Sequence, residues 1–213
     1  MINKKGLLLV VSGPSGTGKG TICKDIVAKH EDINLSISAT TRKPRVGEVE
    51  GKSYFFKTKE DFEDMVDKGE FLEHAMIYDN YYGTPKKAIF DELDMGRDVI
   101  LEIEMQGAMQ IKEVYPQAVF IFVLPPSLQE LKNRIIGRGT ETEEQIEKRF
   151  NSAYDEIKLL GDYDYFIFNN IVEKSSEEIL NILEVEKNKV SRYKKDILDM
   201  FEKEIKNVKT IIK

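Results

Sequence analysis

The chain has 213 residues, 41% of them hydrophobic, with 38 acidic residues against 32 basic ones and a formal net charge of −6. That is enough apolar material for a sizeable core in one domain, with or without inserted subdomains, and the acidic balance argues against a general nucleic-acid binder. One cysteine and two histidines, His30 and His74, exclude an internal disulfide, a zinc cluster and a Cys/His nucleophile pair.

The N-terminus, Met1-Ile2-Asn3-Lys4-Lys5, leads straight into an apolar run from Leu7 to Val11 with no small-residue cleavage site, so export is not expected. That run is short, β-branched at its end and stopped by Ser-Gly-Pro, as a buried parallel strand should be. Gly13-Pro14-Ser15-Gly16-Thr17-Gly18-Lys19-Gly20-Thr21 follows, and then a helical segment, Ile22 to Lys29. Strand, glycine loop, lysine and helix in this order form a phosphate-binding loop, whose amides and helix N-terminus attract an anion while Lys19 adds a full charge. The usual pattern has Ser or Thr directly after the lysine to meet a magnesium ion. Here Gly20 intervenes before Thr21, which leaves open which hydroxyl faces the metal. Cys23, two residues on, is expected to pack under the loop, and a lone thiol fits a reducing cytoplasm.

Asn34 to Thr40 alternates polar and apolar residues at the period of a half-buried strand. It runs into Thr41-Arg42-Lys43-Pro44-Arg45-Val46-Gly47-Glu48, where the proline keeps Lys43 out of helix. Arg42 and Arg45 therefore lie on an extended loop, as ligand contacts or as a solvated basic face. Tyr54-Phe55-Phe56 reads as a strand, Lys59 to Lys68 as a helix stopped at Gly69, and Glu70 to Tyr78 as a strand that Asn80-Tyr81-Tyr82-Gly83-Thr84-Pro85 turns back. A helix from Lys86 to Met95 is closed by Gly96. A buried strand then spans Asp98 to Gly107 and ends in two carboxylates, Glu102 and Glu104, placed either for a ligand or its metal or simply toward solvent.

Ala108 to Val114 is a short helix, and Val119 to Leu124 a core strand stopped by Pro125-Pro126. The longest apolar run, Ala118 to Leu124, is far too short to cross a bilayer. Ser127 caps a helix from Leu128 to Ile136 that carries Arg134. Gly137-Arg138-Gly139 breaks it, and Thr140-x-x-Glu143 has the capping-box pattern for a helix containing Arg149. This segment is a hinged lid or a charged surface hairpin. Asp164 to Asn170 is the last strand, followed by a helix from Ser175 to Asn188 whose start signal is Ser175-x-x-Glu178. Beyond it Val190, Tyr193, Ile197, Phe201, Ile205, Val208 and Ile212 form one apolar stripe suited to packing on the domain or on a partner. Strands alternating with helices imply right-handed crossovers and a parallel sheet.

Seven motifs in this order resemble guanylate kinase, which phosphorylates GMP with ATP. They are Ser12 to Thr21, Ser38 to Glu48, Gly51-Lys52-Ser53-Tyr54, Glu70-Phe71-Leu72-Glu73, Tyr81-Tyr82-Gly83-Thr84, Glu102-Ile103-Glu104-Met105-Gln106-Gly107 and Gly137-Arg138-Gly139-Thr140-Glu141-Thr142, and the resemblance covers about residues 7 to 188. It implies an α/β fold with a three-layer phosphate-loop kinase core on a five-stranded parallel sheet, plus a small mixed GMP-binding insertion and a helical lid. The core would take residues 1–36, 85–126 and 159–213, the last with the C-terminal helices; the insertion would take 37–84 and the lid 127–158.

By the same resemblance, Gly13, Pro14, Ser15, Gly16, Thr17, Gly18, Lys19, Gly20 and Thr21 bind ATP together with Arg134, Arg138 and Asn169. Arg42, Arg45, Tyr54 and Tyr82 grip the GMP phosphate; Ser38, Glu73 and Thr84 read the guanine, with Glu104 on the GMP side. Lys19, Arg42, Arg134, Arg138 and Arg149 form the catalytic set. Mg2+ is the implied cofactor, with Thr21 and Glu102 as its ligands, directly or through water. Members often carry Asp-x-Asp where this chain has Glu102-Ile103-Glu104, so each carboxylate reaches one methylene further. The implied partners are ATP and GMP alone, without nucleic acid or membrane, in the cytoplasm, and the C-terminal amphipathic helix is a candidate surface for a homo-oligomer. Two rival readings are a non-catalytic guanylate-kinase-like module that docks phosphorylated protein segments, and a kinase for another nucleoside monophosphate. The first predicts a damaged phosphate loop, and the second has no need of Glu73.

Overall fold

The computed structural model describes residues 4–77, 79–136 and 143–211, with the side chains of 143–149 and 207–211 not among those described. The Gly137-Arg138-Gly139 hinge, Thr140 of the expected capping box and Ile212 of the C-terminal stripe lie outside these residues. Along the chain run β1 (Leu8–Ser12), α1 (Lys19–Lys29), β2 (Ile33–Leu35), β3 (Ala39–Thr40), β4 (Phe55–Phe56), α2 (Lys59–Asp67), β5 (Phe71–Ile77), β6 (Asn80–Pro85), α3 (Lys86–Asp94), β7 (Asp98–Glu102) and α4 (Met105–Val114). They are followed by β8 (Val119–Leu124), α5 (Leu128–Ile136), α6 (Glu143–Ile157), a 3-10 turn (Lys158–Asp162), β9 (Tyr165–Phe168), α7 (Val172–Glu186) and α8 (Val190–Ile211).

Five strands form a parallel sheet in the order β2-β7-β1-β8-β9. Its middle strand, β1, is buried along its whole length, as the apolar run requires of a strand covered on both faces. Leu9 and Val11 face Ile22 and Ile26 of α1 and Ile179 and Leu183 of α7. Leu8 and Val10 face Ile89 and Leu93 of α3 and Ala108 and Ile111 of α4. All five strands point the same way, so the glycine loop after β1 and Glu102 at the end of β7 share one rim of the sheet.

A second sheet of order β4-β3-β6-β5 is built from residues 39–85, with β3 parallel to β4 and antiparallel to β6. Its small core is aromatic: Phe62 of α2 stacks on Phe71 at 4.5 Å and on Tyr81 at 5.3 Å between ring centroids. Thr58 caps α2, its Oγ1 accepting from the Asp61 amide at 3.0 Å, with Glu60 and Asp61 in the positively polarised first turn.

Four stretches depart from the sequence expectation. Asn34 to Thr40 is two strands, because the chain leaves the first sheet after Leu35 and enters the second at Ala39; alternation marks extended chain but not which sheet it joins. The strand expected over 98–107 ends at Glu102, and Met105 already opens α4, with Glu104 extended at its N-cap. Asn80 to Pro85 is a strand antiparallel to β5, and the reversal falls at Asp79, in the left-handed region at φ 64°. The helix expected from Ser175 begins at Val172. Ser175 is buried inside it, its hydroxyl donating to Asn169 Oδ1 at 3.3 Å, so its spacing to Glu178 is not a cap.

The start of α8 is latched to the core. Glu186, 2% exposed, accepts from Arg192 Nη2 at 2.6 Å, Tyr165 Oη at 2.7 Å and Lys189 Nζ at 3.0 Å. Burial works to raise this carboxyl, but the three donors outweigh it and hold it down at about 2. A carboxyl depressed in the folded state adds stability above its unfolded value, about 4.3, and loses it as pH falls toward 2. Arg192→Ala should therefore lower the melting temperature at pH 7 by several degrees and flatten the acid limb between pH 4.5 and 2.5, measured by calorimetry across that range.

Candidate active site

The glycine loop is shaped by its backbone. Gly18 sits at φ 90° at the N-cap of α1, and the Lys19 ammonium folds back onto the Gly13 carbonyl, with the Pro14 carbonyl at 3.4 Å. Lys19 is 8% exposed, so its charge is held among inward-facing carbonyls at the mouth of the helix. Thr17 Oγ1 donates to Pro14 O at 2.9 Å, which closes the loop on itself. The Asn169 side-chain amide donates to Thr17 O at 2.7 Å, and Arg134 of α5 reaches the same carbonyl at 3.4 Å and Asn169 O at 3.0 Å. Arg134 also pairs with Glu130 at 3.0 Å. Arg134 and Asn169 thus both converge on the loop from separate elements.

Gly20 has a reason that the motif alone does not supply. A Cβ there would lie 2.9 Å from each carboxylate oxygen of Glu102, so the absent side chain makes room for that carboxylate against the first turn of α1. Thr21 is exposed on the same turn. Among the described residues no group of three or more His, Cys, Asp or Glu side chains is assembled to hold a metal ion. Cys23 is fully buried, and burial, together with the nearby Glu102 charge, pushes its thiol up to about 12; it is a packing residue, not a nucleophile.

The second sheet presents an arginine-tyrosine cluster. Arg42 lies over the Tyr54 ring at 5.3 Å, and the Tyr54 and Tyr82 rings meet edge to face at 6.1 Å. Arg42 Nη1 donates to Lys43 O at 2.8 Å, and Nη2 donates to Glu48 at 2.7 and 3.0 Å. The Arg45 amide also donates to Glu48, at 2.8 Å, while the Arg45 residue is exposed. Ser38 enters β3, its carbonyl accepting from the Phe55 amide at 2.9 Å.

Glu73 is 8% exposed and accepts from Thr84 Oγ1 at 2.6 Å. The register of β5 against β6 shifts between Phe71 and His74, the kind of irregularity that re-aims a side chain, and Glu73 lies within it. A Cβ on Gly107 would come within 2.7 Å of Glu73 Oε2, so the first turn of α4 also leaves space for this carboxylate. Burial raises the Glu73 carboxyl and the Thr84 hydrogen bond opposes it. Glu104, at the N-cap of α4, is exposed.

The structure therefore gathers Lys19, Thr21, Glu102, Arg134 and Asn169 around the loop, and Arg42, Tyr54 and Tyr82, and Glu73 with Thr84, on the second sheet. Arg138 lies outside the described residues. Arg149 belongs to α6, but its side chain is not described. Two residues without an assigned role in the sequence pattern stand out. Glu48 occupies Arg42, and its only signal was an opposite charge beside two arginines. Glu156 of α6 is half-buried; its Oε1 accepts from Ser152 Oγ at 3.0 Å, and its Oε2 has no hydrogen-bond partner among the described residues. Burial raises its carboxyl, the Ser152 hydrogen bond opposes this, and the Glu104 and Lys19 charges act in opposite directions. In sequence it is one acid in a run of charged residues.

A lysine buried in a glycine loop at the carboxyl rim of a parallel sheet, with α5 joined to that loop through Arg134, defines a phosphate-loop nucleotide-binding protein of the α/β class. The sequence pattern described as guanylate kinase matches residues 5–186. The chain belongs to the guanylate kinase family. It is 67% identical over 205 residues to a guanylate kinase of Clostridioides difficile strain 630, covering 96% of this chain and 100% of that protein. It is 55% identical over 193 residues to one of Caldanaerobacter subterraneus, covering 91% and 94%. The crystal structure of guanylate kinase from Anaplasma phagocytophilum superimposes with a TM-score of 0.72 at 36% identity, covering 89% of this chain and 90% of that one.

Proposed function

We propose that this chain transfers the γ-phosphoryl group of ATP to GMP, and also to dGMP, yielding ADP and GDP by direct in-line displacement. The observation that carries this reading is the pairing of two sites in one chain: the buried Lys19 of an intact glycine loop, and a buried carboxylate, Glu73, beside an arginine-tyrosine cluster. Guanine offers N1-H and a 2-amino group to such a carboxylate, and adenine offers neither. The unbroken loop speaks against the non-catalytic module, and Glu73 speaks against a different nucleobase.

Phosphoryl transfer asks the protein mainly for alignment and positive charge. Lys19 leaves the Gly13 carbonyl to follow the migrating group, and the loop Gly13 to Thr21 holds the donor through its backbone amides, Pro14 contributing none. Arg134, with Arg138 and Arg149 from a lid at 127–158, neutralises the charge that develops in transit. Arg42, Arg45, Tyr54 and Tyr82 hold the acceptor phosphate in an insertion at 37–84, and Ser38, Thr84 and Glu104 complete the contacts to GMP. No general base is needed, because the attacking phosphate oxygen is already anionic. Closing the lid keeps water from the donor.

The oxygen donors around α1 suit a magnesium ion. Glu102 sits in the space that a Cβ on Gly20 would fill, close to the Thr21 turn, and one or two carboxylates plus water and phosphate oxygens are what this ion takes. Glu102 would hold it, with Thr21, directly or through water, and it would supply positive charge to offset that of the phosphates. Among the described residues no helix is long and apolar enough to cross a membrane. The reading places the enzyme in the cytoplasm, where the buried Cys23 stays reduced. It also assigns the outer face of α8, where Leu198, Phe201 and Ile205 are about half exposed, to contact with a second copy of the chain; sedimentation of Phe201→Asp as a monomer beside a larger wild type would support this, and equal behaviour would refute it. The reaction itself is tested by phosphorus NMR of ATP with and without GMP. Stoichiometric GDP and ADP are expected, and ATP loss that ignores GMP would refute the assignment.

A further inference from the structure

We propose that Glu48 is a positioning residue for the acceptor phosphate site, fixing Arg42 and the Lys43–Gly47 loop in the geometry that receives the anion. This rests on the reading of Arg42 as a phosphate-gripping residue. Glu48 accepts from Arg42 Nη2 with both of its oxygens, at 2.7 and 3.0 Å, and its Oε2 also accepts from the Arg45 backbone amide at 2.8 Å. Its own amide donates to Arg45 O at 3.1 Å. One carboxylate thus closes the loop on itself, joining the side chain that begins it to the backbone in its middle. Arg42 is held on its other sides by Lys43 O at 2.8 Å and by the Tyr54 face, which leaves it half-buried in a single orientation. The Glu48 hydrogen bond raises the Arg42 guanidinium above its ordinary value and burial opposes this; since a guanidinium is charged with or without a partner, what Glu48 supplies is its orientation.

Two opposed effects on an incoming phosphate follow. The carboxylate repels a second anion and competes for Arg42, which would make it a plug that must be displaced. It also removes the rotamer and loop freedom that binding would otherwise have to freeze. The bond to the Arg45 amide decides between them, because a displaceable plug needs only the Arg42 side chain, whereas Glu48 is anchored to backbone that need not move when the anion arrives. An arginine has five N-H donors, and Glu48 with Lys43 takes only part of the set, so the guanidinium can serve both anions.

The test compares Glu48→Gln, Arg42→Met and the double variant in steady-state kinetics on the full chain, with melting curves as the control for folding. Glu48→Gln should raise KM for GMP by about 10- to 100-fold, with kcat within a few-fold and KM for ATP unchanged, and the two substitutions should be strongly non-additive. Glu48→Asp, which keeps the charge but shortens the reach, should restore part of the loss. A lowered KM for GMP in Glu48→Gln would mean a plug, and an unchanged KM or an additive double variant would mean that Glu48 does not act through Arg42; each overturns the inference. Wild-type kinetics in Arg42→Met would instead refute the phosphate-gripping role itself.

Discussion

Replacing Lys19 with Met should lower kcat for GMP phosphorylation by about 10²- to 10³-fold, the loss typical of removing one preorganised donor from a transition state. Among the described residues the ammonium donates to the Gly13 and Pro14 carbonyls, so its charge is parked where the proposed polyphosphate would lie. On the proposed reading, binding of ATP would trade those carbonyls for phosphate oxygens, and the advantage would grow as charge shifts onto the bridging oxygen. KM for GMP should change little, because Glu73 stands on the second sheet and Arg42 on the loop that leaves its strand β3. Melting should also stay close to wild type, since the methionine keeps the apolar stem that packs in the loop. Stopped-flow ADP release at saturating substrates separates these outcomes, and a kcat within a factor of three of wild type would rule out the role.

Glu73→Gln should reduce kcat/KM for GMP by about 10²- to 10⁴-fold, as expected for the loss of two charge-assisted hydrogen bonds at a buried site. The same change should leave the free protein at least as stable as wild type at pH 7. Burial raises the Glu73 carboxyl, so the contribution of this group to stability is complete below its unfolded value and is lost as pH rises through the folded one. A neutral amide of nearly the same shape avoids that loss. A protein that melts higher and works worse would mark Glu73 as a recognition group kept at the expense of stability, whereas parallel losses in melting and activity would mark it as structural.

Much of this was legible in the sequence, for identifiable reasons. The parallel core was readable because Leu7 to Val11 and Val119 to Leu124 are continuous apolar runs, which only a sheet covered on both faces can absorb. The glycine loop was readable because its backbone demands are written in residue type. What escaped was relational. No local pattern says that Gly20 clears space for Glu102 or Gly107 for Glu73, since each pair is brought together only by the sheet. The capping signal at Ser175 failed because Ser-x-x-Glu also occurs inside helices, and here α7 had already begun at Val172. Glu48 carries no local signal, because a carboxylate six residues from an arginine looks like solvated charge until the loop between them folds back.

A chain that joins an ATP site at Lys19 to a guanine-reading site at Glu73, as proposed, should discriminate sharply among nucleoside monophosphates. The most direct test is kcat/KM for ATP-dependent ADP release with GMP, dGMP, AMP, UMP and CMP as acceptors. GMP should be favoured first and dGMP next, with AMP at least about 10⁴-fold below GMP. Turnover of AMP equal to or above that of GMP would contradict the account.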